Sequence, residues 1–208
     1  MKQRKHPTRS NHCPRTRRGL AAAVAAALLG GMVVTQAFAG PGYAWGAKWT
    51  DSGELVLPDD YHTWVFLGAP LTPNALNGGK AGFPEYHNVY IHPEAFKVFR
   101  STGQFPEGTV LLKELQLTIP GTNEDGSRME PSGRGYFPAT RNGIDISVKN
   151  SERFKETNGW GFFNFGHHAP PYAKSAAAAP KEACAACHIA NGDNMVFTRF
   201  YAPILNAK

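Results

Sequence analysis

The most specific chemistry in the chain sits at Cys184-Ala185-Ala186-Cys187-His188. Each thiol of a Cys-x-x-Cys-His run can add to a haem vinyl group, and the imidazole that follows is placed to ligate the iron from the same side. A redox disulfide is one alternative, but such pairs usually sit on a thioredoxin-like βαβ unit, and the sequence has no such rhythm. A structural zinc site would need four ligands, and there is no second cysteine pair. The pattern reads as one covalent haem c, held by Cys184 and Cys187, with His188 as the axial ligand of the iron.

The opposite side of the iron decides between electron transfer and small-molecule chemistry. An electron carrier needs a sixth ligand, commonly Met or a second His. Met195 is seven residues past His188, too close to reach the other haem face, and Met129 lies in a polar loop. His62, His87, His92, His167 and His168 all precede the motif and remain candidates. The favoured reading is an open distal site where a small molecule binds iron.

A second residue is out of place. In Gly108 to Ile119, the odd positions Thr109, Leu111, Leu115, Leu117 and Ile119 form the more apolar face of a strand, and Lys113 sits in its middle. A buried ammonium is costly unless it is paired or deprotonated. Snorkelling or a salt bridge would satisfy it without chemistry. A desolvated lysine, with its pKa lowered, is instead a nucleophile, and a haem edge is the available electrophile.

These residues need elements to hold them. Pro93-Glu94 opens a helix that stops at Gly103. Strands are expected at Glu85 to Ile91, Gly108 to Ile119, Gly135 to Ala139, Gly143 to Val148 and Gly159 to Phe165. Asp60 to Leu67 leans towards a short helix, and Thr72 to Pro84 reads as a loop. Gly121 to Gly133 reads as a hairpin loop, and the Ala-rich Lys174 to Ala186 as a helix entering the cysteine pair. Asn194 to Asn206 closes the chain. Short strands without a βαβ rhythm predict an α+β fold, a mainly antiparallel β-sheet with a few helices and a C-terminal haem motif.

The formal charge of +6 comes from 22 Lys+Arg against 16 Asp+Glu. Seven of the basic residues fall in residues 1–39, which hold no acidic one, so residues 40–208 are near neutral. That excludes the basic face a nucleic-acid partner needs. Residues 1–39 read as a cleaved secretory signal: a basic start ending at Arg17-Arg18, an apolar run from Gly19 to Val34, and Ala37-Phe38-Ala39 before Gly40. The run is short for a permanent span. The twin arginine loosely fits a Tat signal. Cys13 leaves with the signal. Residues 40–208 are then expected as one exported haem domain in the periplasm, not embedded in the membrane.

The chain resembles the cytochrome P-460 family and its relatives, the cytochromes c′-beta. The stretches that carry the resemblance are Gly53-Glu54-Leu55-Val56-Leu57-Pro58, TPNALNGGKAGF (72–83), GTVLLKEL (108–115), Gly135-Tyr136-Phe137, ISVKNSERF (146–154), the cysteine motif and NMVFTRFY (194–201). The resemblance implies a homodimeric, mainly antiparallel protein with a five-coordinate haem c, which oxidises hydroxylamine with nitrous oxide as a principal product. Electrons would leave to a periplasmic acceptor such as a c-type cytochrome. The c′-beta relatives imply an alternative, capture of nitric oxide without turnover. In the P-460 branch a lysine is joined to the porphyrin, and Lys113 matches it.

Phe83 matches a distal phenylalanine of the family. Asp145 lies near a carboxylate that some members place beside the distal pocket, although its alternation with Ile144 and Ile146 favours water. As the proton acceptor the reaction needs, it is a candidate catalytic residue. His87 stands where arginine is expected. It shares a face with Val89 and Ile91 and is a candidate inward acid–base group. His167 alternates with Phe163 and Phe165, and at least one of His167 and His168 is expected at the surface.

Overall fold

The computed structural model describes residues 45–207, all within a unit spanning Phe38–Lys208. The expected leader, residues 1–39, lies outside the described residues. In chain order the elements are β1 (Lys48–Trp49), β2 (Leu55–Val56), β3 (Val65–Gly68), β4 (Tyr86–Ile91), α1 (Pro93–Thr102), β5 (Val110–Thr118), β6 (Arg128–Glu130) and β7 (Gly133–Gly135). There follow β8 (Pro138–Lys149), β9 (Trp160–Asn164), β10 (Ser175–Ala176), α2 (Ala185–Asn191) and α3 (Ala202–Leu205). Single 3-10 turns stand at Tyr61–Thr63, Asn74–Asn77, Lys155–Thr157 and Thr198–Phe200.

Five strands form the main sheet in the order β3-β4-β5-β8-β9, every neighbouring pair antiparallel. A small sheet, β1-β2-β10, and a hairpin, β6-β7, complete the strands. The fold is α+β. Val89, Ile91, Leu111, Trp160 and Phe162 on one face of the main sheet pack with Ala95 and Phe99 of α1, Ala185 of α2 and Ile204 of α3. On the other face Val110, Leu112, Ile144, Ile146 and Phe163 pack against Leu55 of β2 and Ala176 of β10. Apolar side chains therefore alternate to both sides of β5, and the expectation that only its odd face is core is corrected. Even Glu114, on the even face, is buried; Tyr61 Oη donates to it at 2.5 Å, and Arg141 lies 3.5 Å away.

Local chemistry sets several boundaries. Pro93 occupies the first turn of α1, His92 Nδ1 accepts from the Glu94 N–H, and Gly103 closes the helix at φ +71°. The expected helix over Asp60 to Leu67 is only the turn Tyr61–Thr63, because Val65–Gly68 pairs with β4 as the outer strand. Gly135 to Ala139 and Gly143 to Val148 are not two strands of the sheet. Gly135 ends β7, and Pro138–Lys149 runs unbroken as β8, with register shifts opposite Leu115 to Thr118.

The Ala-rich Lys174 to Ala186 is not a helix. Ser175–Ala176 pairs with β2, Ala178 bridges Phe163, and the Ala179 N–H donates to Phe162 O at 2.7 Å. Pairing to a sheet outweighs alanine's helix preference there, and α2 begins only at Ala185. Among the described residues no helix is long and apolar enough to cross a membrane.

Candidate functional site

The register of the main sheet brings the distal candidates together. Lys113 lies directly across from Val89 on β4 and from Asp145 on β8, and Asp145 lies across from Asn164 on β9. Opposite charges on adjacent strands are direct neighbours, and Lys113 Nζ sits 2.8 Å from Asp145 Oδ2. The misplaced lysine is therefore paired. Lys113 Nζ also lies 4.1 Å from the centre of the Phe83 ring.

Asp145 does not face water. It lines the same cavity as Lys113, on the face opposite Ile144 and Ile146. Alternation placed it correctly against its neighbours but could not say which face was wet, because both faces are covered. Burial raises its carboxyl pKa. Hydrogen bonds from His167, Lys113 and Asn164 and the Lys113 charge outweigh that and hold it well below the ordinary 3.8. Its Oδ1 accepts from Asn164 Nδ2 at 2.7 Å.

Such a carboxylate stabilises the fold fully above its unfolded pKa and loses that contribution as pH falls through the lower folded value. His167, raised first by its bond to Asp145, runs the other way: its contribution is present below 6.5 and lost as pH rises through the folded value. His167 is about two-fifths exposed, so it adds little. Thermal melts should therefore show wild-type stability falling below about pH 4 more steeply than that of Asp145→Asn. Parallel curves would show that Asp145 is not linked to folding.

The cavity, about 500 Å³, lies on the helix-bearing side of the sheet. Its size is within the range of small-molecule and cofactor sites. Its floor is Val89, Leu111, Lys113, Asp145 and Phe162 of the sheet, and one rim is the stretch from Pro70 to His87. There Phe83 O accepts from Thr72 Oγ1 at 2.6 Å, and His87 Nε2 approaches it at 3.2 Å. His87 does face inward. Burial first, then the Lys113 charge, lowers its pKa and favours neutral imidazole.

The other rim is α2 and the chain beyond it. Cys184 precedes the first turn of α2; Cys187 and His188 lie within it, and all three line the cavity. Neither thiol is in a disulfide. His188 Nδ1 lies 2.7 Å from Met195 O. A carbonyl only accepts, so Nδ1 carries the proton and Nε2 keeps its lone pair. Burial lowers the pKa and favours this neutral form. The ring is wedged between Phe162 and Phe197, with centroids 4.6 and 4.8 Å away. Met195 O is presented by a turn in which Asn194 and Met195 both have positive φ, +49° and +68°, a conformation non-glycine residues seldom adopt.

A haem fits these residues: an oriented imidazole with a free Nε2, two thiols and apolar walls converge on one cavity. Met195 is buried with its sulfur 3.6 Å from Asn158 Nδ2, and Met129 is exposed on the β6-β7 hairpin. Three contributors escaped sequence reasoning: Asn164, the Met195 carbonyl and the bond from His167 to Asp145. The last spans 22 positions, which no local periodicity reaches. His168 is exposed, with Nδ1 on Ala169 O, as expected for one of the pair.

No curated protein matches the chain. The family profile described as cytochrome P460 matches residues 58–198, well over half of the sequence and nearly every element that lines the cavity. The chain belongs to the cytochrome P460 family of haem proteins.

Proposed function

We propose that this protein is an exported mono-haem c enzyme that oxidises hydroxylamine. The observation that carries the reading is Asp145, a carboxylate held ionised on the floor of a cavity whose rim holds Cys184, Cys187 and His188. In this reading Cys184 and Cys187 form the thioether bonds and His188 Nε2 faces the iron. Haem bound there supplies an iron centre that accepts electrons from the hydroxylamine nitrogen for transfer to a periplasmic acceptor.

The chain's own residues supply the rest. Asp145, kept ionised, accepts protons released by the substrate. Phe83 and the apolar walls exclude water, and His87 offers a neutral imidazole. Lys113 is the residue whose amine joins the porphyrin. The products are nitrous oxide, nitric oxide or both, and the active form is a homodimer.

A second reading is favoured by one contact. Because the Lys113 amine is already engaged by Asp145 and Phe83, it is satisfied without any covalent bond. That suits a c′-beta-like protein which binds nitric oxide without turnover. Intact mass and peptide mapping of the haem-loaded protein decide between them. The enzyme reading expects the Lys113 peptide joined to the peptide carrying Cys184 and Cys187, and hydroxylamine-dependent reduction of an acceptor dye. Lys113→Ala should free the first peptide and leave both cysteine attachments. A free Lys113 peptide in the wild type, with an ordinary c-type spectrum and no dye reduction, would establish gas binding instead.

A further inference from the structure

His167 is seated with more care than a surface histidine needs. Its Nε2 lies 3.2 Å from Asp145 Oδ2, the oxygen that also holds Lys113. Gly166, at φ +123°, turns the chain just before it. Asn164 pins that turn, donating to Asp145 Oδ1 and accepting from the Gly166 N–H at 3.1 Å. A side chain at position 143 would come within 2.9 Å of the His167 ring, so Gly143 leaves the space in which that ring rests against β8. The Phe83 ring meets it edge-on at 5.6 Å.

The groups around Asp145 differ in what they can do with a proton. Lys113 Nζ, from β5, lies 2.8 Å from the same oxygen, Oδ2, and is spoken for by the porphyrin in the reading above. His87, from β4, has its Nε2 on Phe83 O. Glu85, just before β4, is buried against Asn142. His168, next in the chain, bonds to Ala169 O. His167 alone among them both touches Asp145 and combines a near-neutral titration with substantial exposure, 42% against 23% for Asp145.

We propose that His167 is the positioning residue for Asp145: it holds the carboxylate towards the cavity and relays to solvent the proton that Asp145 accepts. The inference rests on the role given to Asp145 above. One proton leaves the substrate for an Asp145 oxygen, and Oδ2 passes it to Nε2 of a neutral His167 that carries its own proton on Nδ1. The resulting imidazolium donates from Nε2 to the restored carboxylate and releases the Nδ1 proton to water, and proton exchange with water returns the ring to the Nδ1–H tautomer. The charges of Asp145 and Glu85 favour the imidazolium, and that of Lys113 opposes it. Relay therefore speeds up as pH rises and His167 becomes neutral.

Two variants of the haem-loaded protein test this. His167→Gln can still donate to Asp145 but cannot titrate, whereas His167→Phe keeps the ring contact with Phe83 and loses both abilities. The substrate-free readout is the absorbance spectrum of the ferric protein against pH. The wild type should show a near-neutral transition that both variants lack. His167→Gln should lower kcat about tenfold with KM unchanged and lose the acid limb of the pH–rate profile, and His167→Phe should lower kcat further. A transition that persists in His167→Gln, or one missing from the wild type, overturns the proposal. A transition lost in both variants, in a protein that does not turn over hydroxylamine, removes the enzyme reading and leaves the coupling of His167 to Asp145 standing.

Discussion

His188→Ala is expected to leave haem attached through Cys184 and Cys187 while removing the nitrogen ligand proposed for the iron. The expectation rests on the bond from Nδ1 to Met195 O, which leaves Nε2 with its lone pair on a ring that lines the cavity. The rings of Phe162 and Phe197 keep the imidazole from turning away. Intact mass should be that of the haem-bearing chain less the imidazole. The absorbance spectrum of the reduced protein should change, and turnover should fall below detection. The variant opens an imidazole-sized space beside the iron, so imidazole added at millimolar concentration should restore much of the wild-type spectrum. Part of any stability loss has a separate source, because Met195 O is left without its donor at a cost of about 1–3 kcal/mol. Unchanged spectra in both oxidation states would show that another group ligates the iron.

Asp145→Asn carries the second large effect. The amide keeps the shape and can accept from Lys113, but it cannot take up a proton at neutral pH. General-base catalysis is worth about 10²–10⁴-fold, and kcat for hydroxylamine should fall by that order with little change in KM. The loss of charge also leaves Lys113 and His167 facing each other without the anion between them, and the His167 pKa should drop towards or below its ordinary value. Haem attachment at the cysteines should be unaffected, as intact mass would show. A variant with wild-type kcat would remove Asp145 from the chemistry and return the pair with Lys113 to a purely structural role.

The sequence made some of this site legible and hid the rest for physical reasons. A period of two singled out Lys113, since one charge interrupts an apolar row. The same reasoning misjudged Asp145, because alternation separates two faces without saying what covers them. Here helices cover one face and β1-β2-β10 the other. The cysteine motif was readable because its chemistry is local. The Met195 carbonyl that orients His188 was not, because a backbone oxygen has no sequence signature. Lys174 to Ala186 misled most: alanine favours helix when nothing competes, but the backbone beside β9 and β2 offers hydrogen-bond partners that composition cannot reveal. His167 was visible only as one of two adjacent histidines, and the contact that distinguishes it joins the bend after β9 to Asp145 of β8.

The strand order has a bearing on how the protein matures. Each main-sheet strand pairs with the main-sheet strand that comes next in the chain, so the sheet closes through hairpin-like steps with modest sequence separation. All five strands end by Asn164, ahead of Cys184. A chain is synthesised and delivered N-terminus first. The wall bearing Lys113 and Asp145 can thus be standing before either thiol arrives. On the proposed haem c reading, the segment with Cys184 and Cys187 would then come to a prepared surface, and the cofactor would be fastened late in assembly instead of nucleating it.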